Sequence, residues 1–283
     1  MEKTLTDLEI SFSPSYFSMT KETPEETISK WIEFQRECLN ELKSEFKCEE
    51  NCVYGTTTKS NFDVWYPNVL STSSQVHCFI RGGYWQECDK TTYASVPRAL
   101  LESGIKVVML EYDHATTISI DDLILQVQSA IPLIRNRYPT DRLTISGHSA
   151  GAHLVAKILE TQKLAALFDA AVLFCGVYDL KPLVETYIGR NIKLTLEMAE
   201  NASVNVTKLA NFNGSLLFVE AEHDAPALIE QGRKLAEKLR SRMTSEKIKT
   251  KSYKDDHFSI VSALANVDSL ITKDFVDFVT NSQ

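Results

Sequence analysis

Residues 143–159 read Leu-Thr-Ile-Ser-Gly-His-Ser-Ala-Gly-Ala-His-Leu-Val-Ala-Lys-Ile-Leu: a short β-type run, a serine with glycine two positions away on each side, then a helical pattern. A serine on a sharp strand-to-helix turn adopts strained backbone angles, so residues two before and two after it must lack side chains to avoid collision. Gly147 and Gly151 meet that need around Ser149. The segment that follows sets Leu154, Val155, Ile158 and Leu159 on one buried face. It also turns its first N–H groups toward the serine, where they favour developing negative charge. Glycine and serine are common, and the five-residue pattern alone is weak. A strand before it and a helix after it identify a nucleophile elbow rather than a glycine-rich turn.

The rest of the chain supplies the matching layers. Strand-like runs at 62–66, 76–80, 106–111, 143–146, 170–175, 215–220 and 248–253 alternate with helical patterns at 121–138, 150–160 and 225–242. The alternation predicts an α/β fold of the α/β-hydrolase type, with a mostly parallel central sheet and helices on both faces. At 283 residues, without linker, repeat or low-complexity stretch, the chain reads as a single domain over 1–283. An N-terminal helical extension is expected at about 23–47. Thr23-Pro24-Glu25-Glu26 forms a capping box with proline at the first helical position, and Ile28, Trp31, Ile32, Leu39, Leu42 and Phe46 make an apolar stripe in which Trp31 is core. The stretch at about 180–211 breaks the alternation with a short helix near 192–199; it reads either as a cap over the site or as a surface excursion.

A second segment converges on the serine. The run from Gln75 to Trp85 is a buried strand entering a diglycine loop, which can turn backbone N–H groups toward a ligand. The expected oxyanion hole takes one N–H from Ala150, after the nucleophile, and another from Gly82 or Gly83. Tyr84 and Trp85 follow directly and are candidate substrate contacts; core packing is the competing role for Trp85.

Of six histidines, His257 stands in a polar loop near the C-terminus, where this architecture places its general base. Asp224 follows the buried run 215–220 at the strand edge where active groups of parallel sheets gather. Ser149, Asp224 and His257 have the chain order of an α/β-hydrolase triad. Glu222 is a rival acid, Asp255 and Asp256 adjoin the base, and Asp224 can also be a plain helix cap.

Several function classes are set aside by composition. A net charge of −8 without a basic cluster argues against nucleic acid as a partner. Six scattered cysteines suggest reduced thiols, and Cys48 with Cys52 lacks partner ligands for zinc. His148 and His153 are five apart and miss the four-residue spacing of a helical metal pair, so no metal or other cofactor is expected. The start lacks an apolar leader and no run has the length of a membrane span. No membrane partner and a cytoplasmic location are therefore expected, and the glycosylation patterns at Asn201, Asn205 and Asn213 stand idle. No feature sets an oligomeric state.

At this point the chain resembles the kynurenine formamidase (arylformamidase) family. The residues that carry the resemblance are Arg-Gly-Gly-Tyr-Trp-Gln at 81–86, Arg137-Tyr138-Pro139, Gly-His-Ser-Ala-Gly-Ala-His-Leu at 147–154, Gly176-Val-Tyr-Asp-Leu180 with Pro182, Leu194-Thr-Leu-Glu197, Asp256-His257-Phe258 and Ser13-Pro14-Ser15. The resemblance implies hydrolysis of N-formyl-L-kynurenine to L-kynurenine and formate in tryptophan catabolism, by Ser149, Asp224 and His257 without a metal. The family normally has histidine at the position of Arg81. Arginine is always charged and accepts no hydrogen bond. Either it anchors the diglycine loop by pairing with Glu111 or Asp113, or the oxyanion hole is impaired. A carboxylesterase for small acyl esters, and a weakened paralogue used for binding, are the alternatives.

Overall fold

The computed structural model describes residues 5–71 and 74–282. Every residue of Gln75–Ile80 and of Ala170–Phe174 is buried, as in a sheet covered on both faces. The strands are β1 (Lys47–Val53), β2 (Asn61–Tyr66), β3 (Gln75–Ile80), β4 (Lys106–Leu110), β5 (Arg142–His148), β6 (Ala170–Phe174), β7 (Ser215–His223) and β8 (Ile248–Asp256), in the order β1-β2-β4-β3-β5-β6-β7-β8. β2 runs antiparallel to both its neighbours, and from β4 to β8 every pairing is parallel.

The principal helices are α1 (Pro24–Glu45), α2 (Ile120–Arg137), α3 (Ala150–Leu159), α4 (Pro226–Arg240) and α5 (Leu270–Asn281). The period-two alternation of the strands sorts their side chains between two cores. Val76, Cys78, Ile80 and Ile145 pack with α2, α3 and α4, whereas Phe79, Val107, Val172 and Leu217 pack with α1 and α5. This is the expected α/β-hydrolase architecture.

The fold departs from expectation in four places. β1 was not foreseen: its sequence, Lys-Cys-Glu-Glu-Asn-Cys-Val, is mostly exposed at the sheet edge, where charge discourages further pairing and no apolar alternation arises. α5 was also missed, although Ile271, Phe275, Phe278 and Val279 lie at helical spacing and are buried. In α1 the capping box forms as read, but the buried stripe is Thr27, Trp31, Gln35, Cys38 and Leu42, while Ile28 and Ile32 are exposed. The helix turns this way because Gln35 Oε1 accepts the buried Ser95 N–H at 2.8 Å. Finally, the stretch after β6 holds three short helices, Tyr187–Asn191, Leu196–Ala202 and Val206–Leu209, instead of one near 192–199.

That insertion is pinned to α3, where the Ala202 carbonyl accepts from His153 Nε2 at 2.8 Å and the Asn201 carbonyl from Lys157 at 3.2 Å. The N-terminal segment crosses to meet it. Glu9 accepts the Tyr187 N–H at 2.8 Å and pairs with Arg190 at 2.6 Å. Further on, Ser18 and the Met19 N–H donate to Asp256 at 3.1 and 2.9 Å, beside His257. Among the described residues no helix is long and apolar enough to cross a membrane.

Candidate active site

Ser149 sits between β5 and α3 with φ 57° and ψ −121°, a strained conformation for a residue with a side chain. Its N–H is held by the Phe174 carbonyl at 2.8 Å. Both flanking glycines are required by contact: a Cβ on Gly147 would stand 2.3 Å from the Gly151 carbonyl oxygen, and one on Gly151 would stand 2.1 Å from that of Ile80. The elbow is thus wedged against the end of β3, which delivers the diglycine loop to the serine. A Cβ on Gly82 would lie 3.0 Å from Ser149 Cβ and 2.5 Å from the Tyr93 hydroxyl. Gly83 has φ 97°, a conformation that glycine adopts without steric cost. Ala150 opens α3, so its N–H has no acceptor within the helix.

The C-terminal ends of β7 and β8 bring the acid and the base together. His257 Nδ1 and Asp224 Oδ2 are 2.8 Å apart, and both residues are buried. The rival acids are otherwise engaged. Glu222 is exposed, Asp255 accepts from the Ser259 hydroxyl, and Asp256 accepts the N–H groups of Phe258 and Ser259 as well as the bonds from Ser18 and Met19. Asp256 therefore shapes the loop that carries His257. The ring of His148, the neighbour of Ser149, lies 4.3 Å from the His257 ring centre to centre. Among the described residues the Ser149 hydroxyl makes no hydrogen bond, as in serine hydrolases whose contacts tighten only around substrate.

Of the remaining histidines, His223 is exposed, and His77, His153 and His114 are tied into the surrounding structure. His77 lies between the Thr144 and Ser146 hydroxyls, and burial depresses it to about 3. His153 is likewise depressed to about 3 by burial, which keeps its Nδ1 free to accept from Trp85 Nε1 at 3.2 Å. His114 accepts or donates at Lys59 and the Cys88 carbonyl.

Comparisons agree with this arrangement. The BD-FAE family model matches residues 62–239, more than half of the chain. The kynurenine formamidase of Salmo salar is 28% identical over 280 residues, covering 94% of both chains. That of Drosophila melanogaster is 30% identical over 227 residues, covering 75% of both. The chain belongs to the BD-FAE and kynurenine formamidase families. Among solved structures, a Silicibacter protein with a suggested thioesterase activity superposes with a TM-score of 0.77 at 22% identity, covering 97% of this chain and 99% of that one. An esterase from Pyrobaculum calidifontis gives 0.66 at 15% identity, with 89% and 92% covered. At these identities the likeness is one of fold.

Two features distinguish this member of the kynurenine formamidase family or correct its reading from sequence. Arg81, at the head of the diglycine loop, is fully buried and completely partnered. Its Nε donates to Glu111 Oε1 at 2.7 Å, its remaining nitrogens to the carbonyls of Glu87 and Tyr112 at 2.8 Å each, and its plane lies 3.8 Å over the Tyr112 ring. Of the two acids weighed as its partner, Glu111 is the one in contact; Asp113 binds Gln126 instead.

Trp85 is the correction. Its ring is 0% exposed and sits edge-on to His153 at 5.1 Å, so it packs the core and offers no face to a substrate. Tyr84 and Trp85 both have a left-handed backbone, φ 45° and 61°, and their rings meet edge to face at 6.0 Å. Tyr84 stays half-buried, with its hydroxyl donating to the Phe12 carbonyl at 2.5 Å.

Sequence reasoning also missed the N-terminal segment, which reaches the site through Phe12, Ser18 and Met19 yet shows no periodicity. Its one signal is the Ser13-Pro14-Ser15 stretch, where Ser13 meets the Tyr187 hydroxyl at 3.2 Å. A cavity of about 500 Å³ between α4 and the sheet touches Asp224 from behind, and neither Ser149 nor His257 lines it.

Proposed function

We propose that this chain is a serine-dependent formamidase that hydrolyses N-formyl-L-kynurenine to L-kynurenine and formate in tryptophan catabolism. The observation that carries the reading is the Asp224–His257 pair at the strand ends beside a strained Ser149, in a chain belonging to the kynurenine formamidase family. His257 takes the Ser149 proton as the oxygen attacks the formyl carbon, while Asp224 holds the imidazole tautomer and stabilises its protonated form. The N–H of Ala150 and that of Gly82 or Gly83 bind the oxyanion. His257 then gives its proton to the aryl amine, L-kynurenine leaves, and water activated by the same imidazole releases formate from the formyl-serine.

Tyr84 is the candidate aryl contact, held by the N-terminal segment that meets the 180–211 insertion at Tyr187. In this reading the chain is one α/β-hydrolase domain and the insertion caps its site. The substrate is a small molecule, and the six free cysteines suit a reducing, cytoplasmic setting.

The test compares the purified protein on N-formylkynurenine and on a short-chain aryl ester. We expect faster turnover of the formamide, labelling of Ser149 by an active-serine phosphonate, and loss of both in Ser149→Ala. Asp224→Asn lowers the rate by about 10⁴ through the wrong tautomer, with Glu222→Gln close to the parent. Preference for the ester, or a label on another serine, overturns the reading.

A further inference from the structure

The base His257 has a second neighbourhood that hydrolysis does not use. Cys175 follows β6 in a left-handed conformation, φ 48°, and its thiol lies buried beside Asp224. One ring nitrogen each of His148 and His257 and the sulfur of Cys175 all lie within 4.8 Å of one another. His148 is 1% exposed. Its Nδ1 meets the Tyr93 hydroxyl at 3.1 Å, and its Nε2 is buried with the His257 backbone close by and no hydrogen-bond partner among the described residues. With the ring proton on Nδ1, toward the Tyr93 hydroxyl, that nitrogen presents a lone pair into the sealed site.

We propose that His148, Cys175 and His257 form a site for a soft divalent cation of the zinc type, and that occupation arrests hydrolysis. Two imidazoles and a thiolate are a donor set that zinc favours. Tetrahedral zinc holds such donors about 3.4–3.6 Å apart, so no pair among the three has to close by more than about 1.4 Å. With Nε2 of each ring as the ligand, the second layer already exists, because Asp224 on His257 Nδ1 and Tyr93 on His148 Nδ1 orient both rings as carboxylates and hydroxyls orient metal-binding histidines elsewhere. Binding breaks the Cys175 S–H bond, forms a sulfur–metal bond and releases one proton to solvent. Once the metal takes the lone pair of His257, no base remains for Ser149. The arrest rests on the proposed role of His257, whereas binding itself does not.

The two are read separately. Cobalt(II) titrated into the intact protein reports a thiolate ligand by its sulfur-to-cobalt charge-transfer absorption, without turnover. One equivalent per chain is expected to produce that band, and Cys175→Ser to abolish it. In turnover assays, zinc inhibits the parent reversibly, chelator restores the rate, and the residual activity of Cys175→Ser needs at least about tenfold more zinc for the same inhibition. His148→Gln, which keeps a polar group beside Tyr93, shifts zinc sensitivity in the same direction. Absence of the thiolate band overturns the site. Equal zinc sensitivity in parent and Cys175→Ser, or cobalt bound through Cys175 with hydrolysis unchanged, overturns the arrest.

Discussion

At Arg81 a single side chain decides whether the diglycine loop has a fixed shape. Its guanidinium spans Glu111 on one side and the Glu87 and Tyr112 carbonyls on the other, three directions that only a planar fork with five donors serves together. Arg81→Ala leaves Glu111 buried without its cation, a loss of about 3–5 kcal/mol by precedent for broken buried pairs, and denaturant unfolding together with the hydrolysis rate is expected to show both stability and turnover falling. Arg81→His puts in a side chain too short to reach the same three acceptors. It is expected to lower the rate; a rise would mean that arginine impairs the oxyanion hole. At this scale the sequence was most legible where chemistry forbids alternatives, since no side chain fits at Gly147 or Gly151; Glu222 satisfies the same chain order as Asp224, and only burial and contact with His257 separate the two. Trp85 was not legible, because adjacency to the glycines says nothing about the side chain's direction once φ turns positive.

Among the elements, the N-terminal segment shows how a stretch without periodicity enters a site. It is held by Glu9, whose carboxyl is lowered to about 2, first by the Thr6 N–H and further by Arg190 and the Tyr187 N–H, against the opposing cost of burial. A carboxyl depressed on docking stabilises the docked state at pH values above its free pKa, and that contribution is lost as pH falls through its docked value. The share of the depression owed to Arg190 and the Tyr187 N–H therefore helps to hold the segment above about pH 4.5 and is lost as the pH drops toward about 2. Glu9→Gln should mimic the acid state at neutral pH. Amide hydrogen exchange over residues 5–19 is the measurement, with faster exchange in the variant and a raised KM, since Tyr84 leans on the Phe12 carbonyl. Unchanged exchange would mean that packing of Phe12 alone holds the segment. None of this was readable from sequence, because Glu9 and Tyr187 are 178 positions apart. β1 escaped for the opposite reason, as an exposed edge strand is selected for charge and hides its pattern.

Across the whole molecule, alternating strands and helices announced the parallel sheet, and the sheet in turn explains why residues as distant as Ser149, Asp224 and His257 end on one edge: each follows a strand of the same direction. What alternation does not encode is how tightly a helix meets the sheet. Gly232 lies inside α4, on the face that lines the cavity behind Asp224, and a Cβ built there has nothing within 4 Å. Glycine in a helix interior is less favourable than alanine by about 0.8–1.0 kcal/mol, and here no steric reason for it exists. Gly232→Ala is therefore expected to raise the melting temperature by about 2 °C at unchanged turnover, because the added methyl enters open space and touches neither Asp224 nor its bond to His257. A fall in melting temperature would show that α4 closes onto the sheet in solution, and a fall in rate alone would show that the cavity governs how Asp224 holds the base.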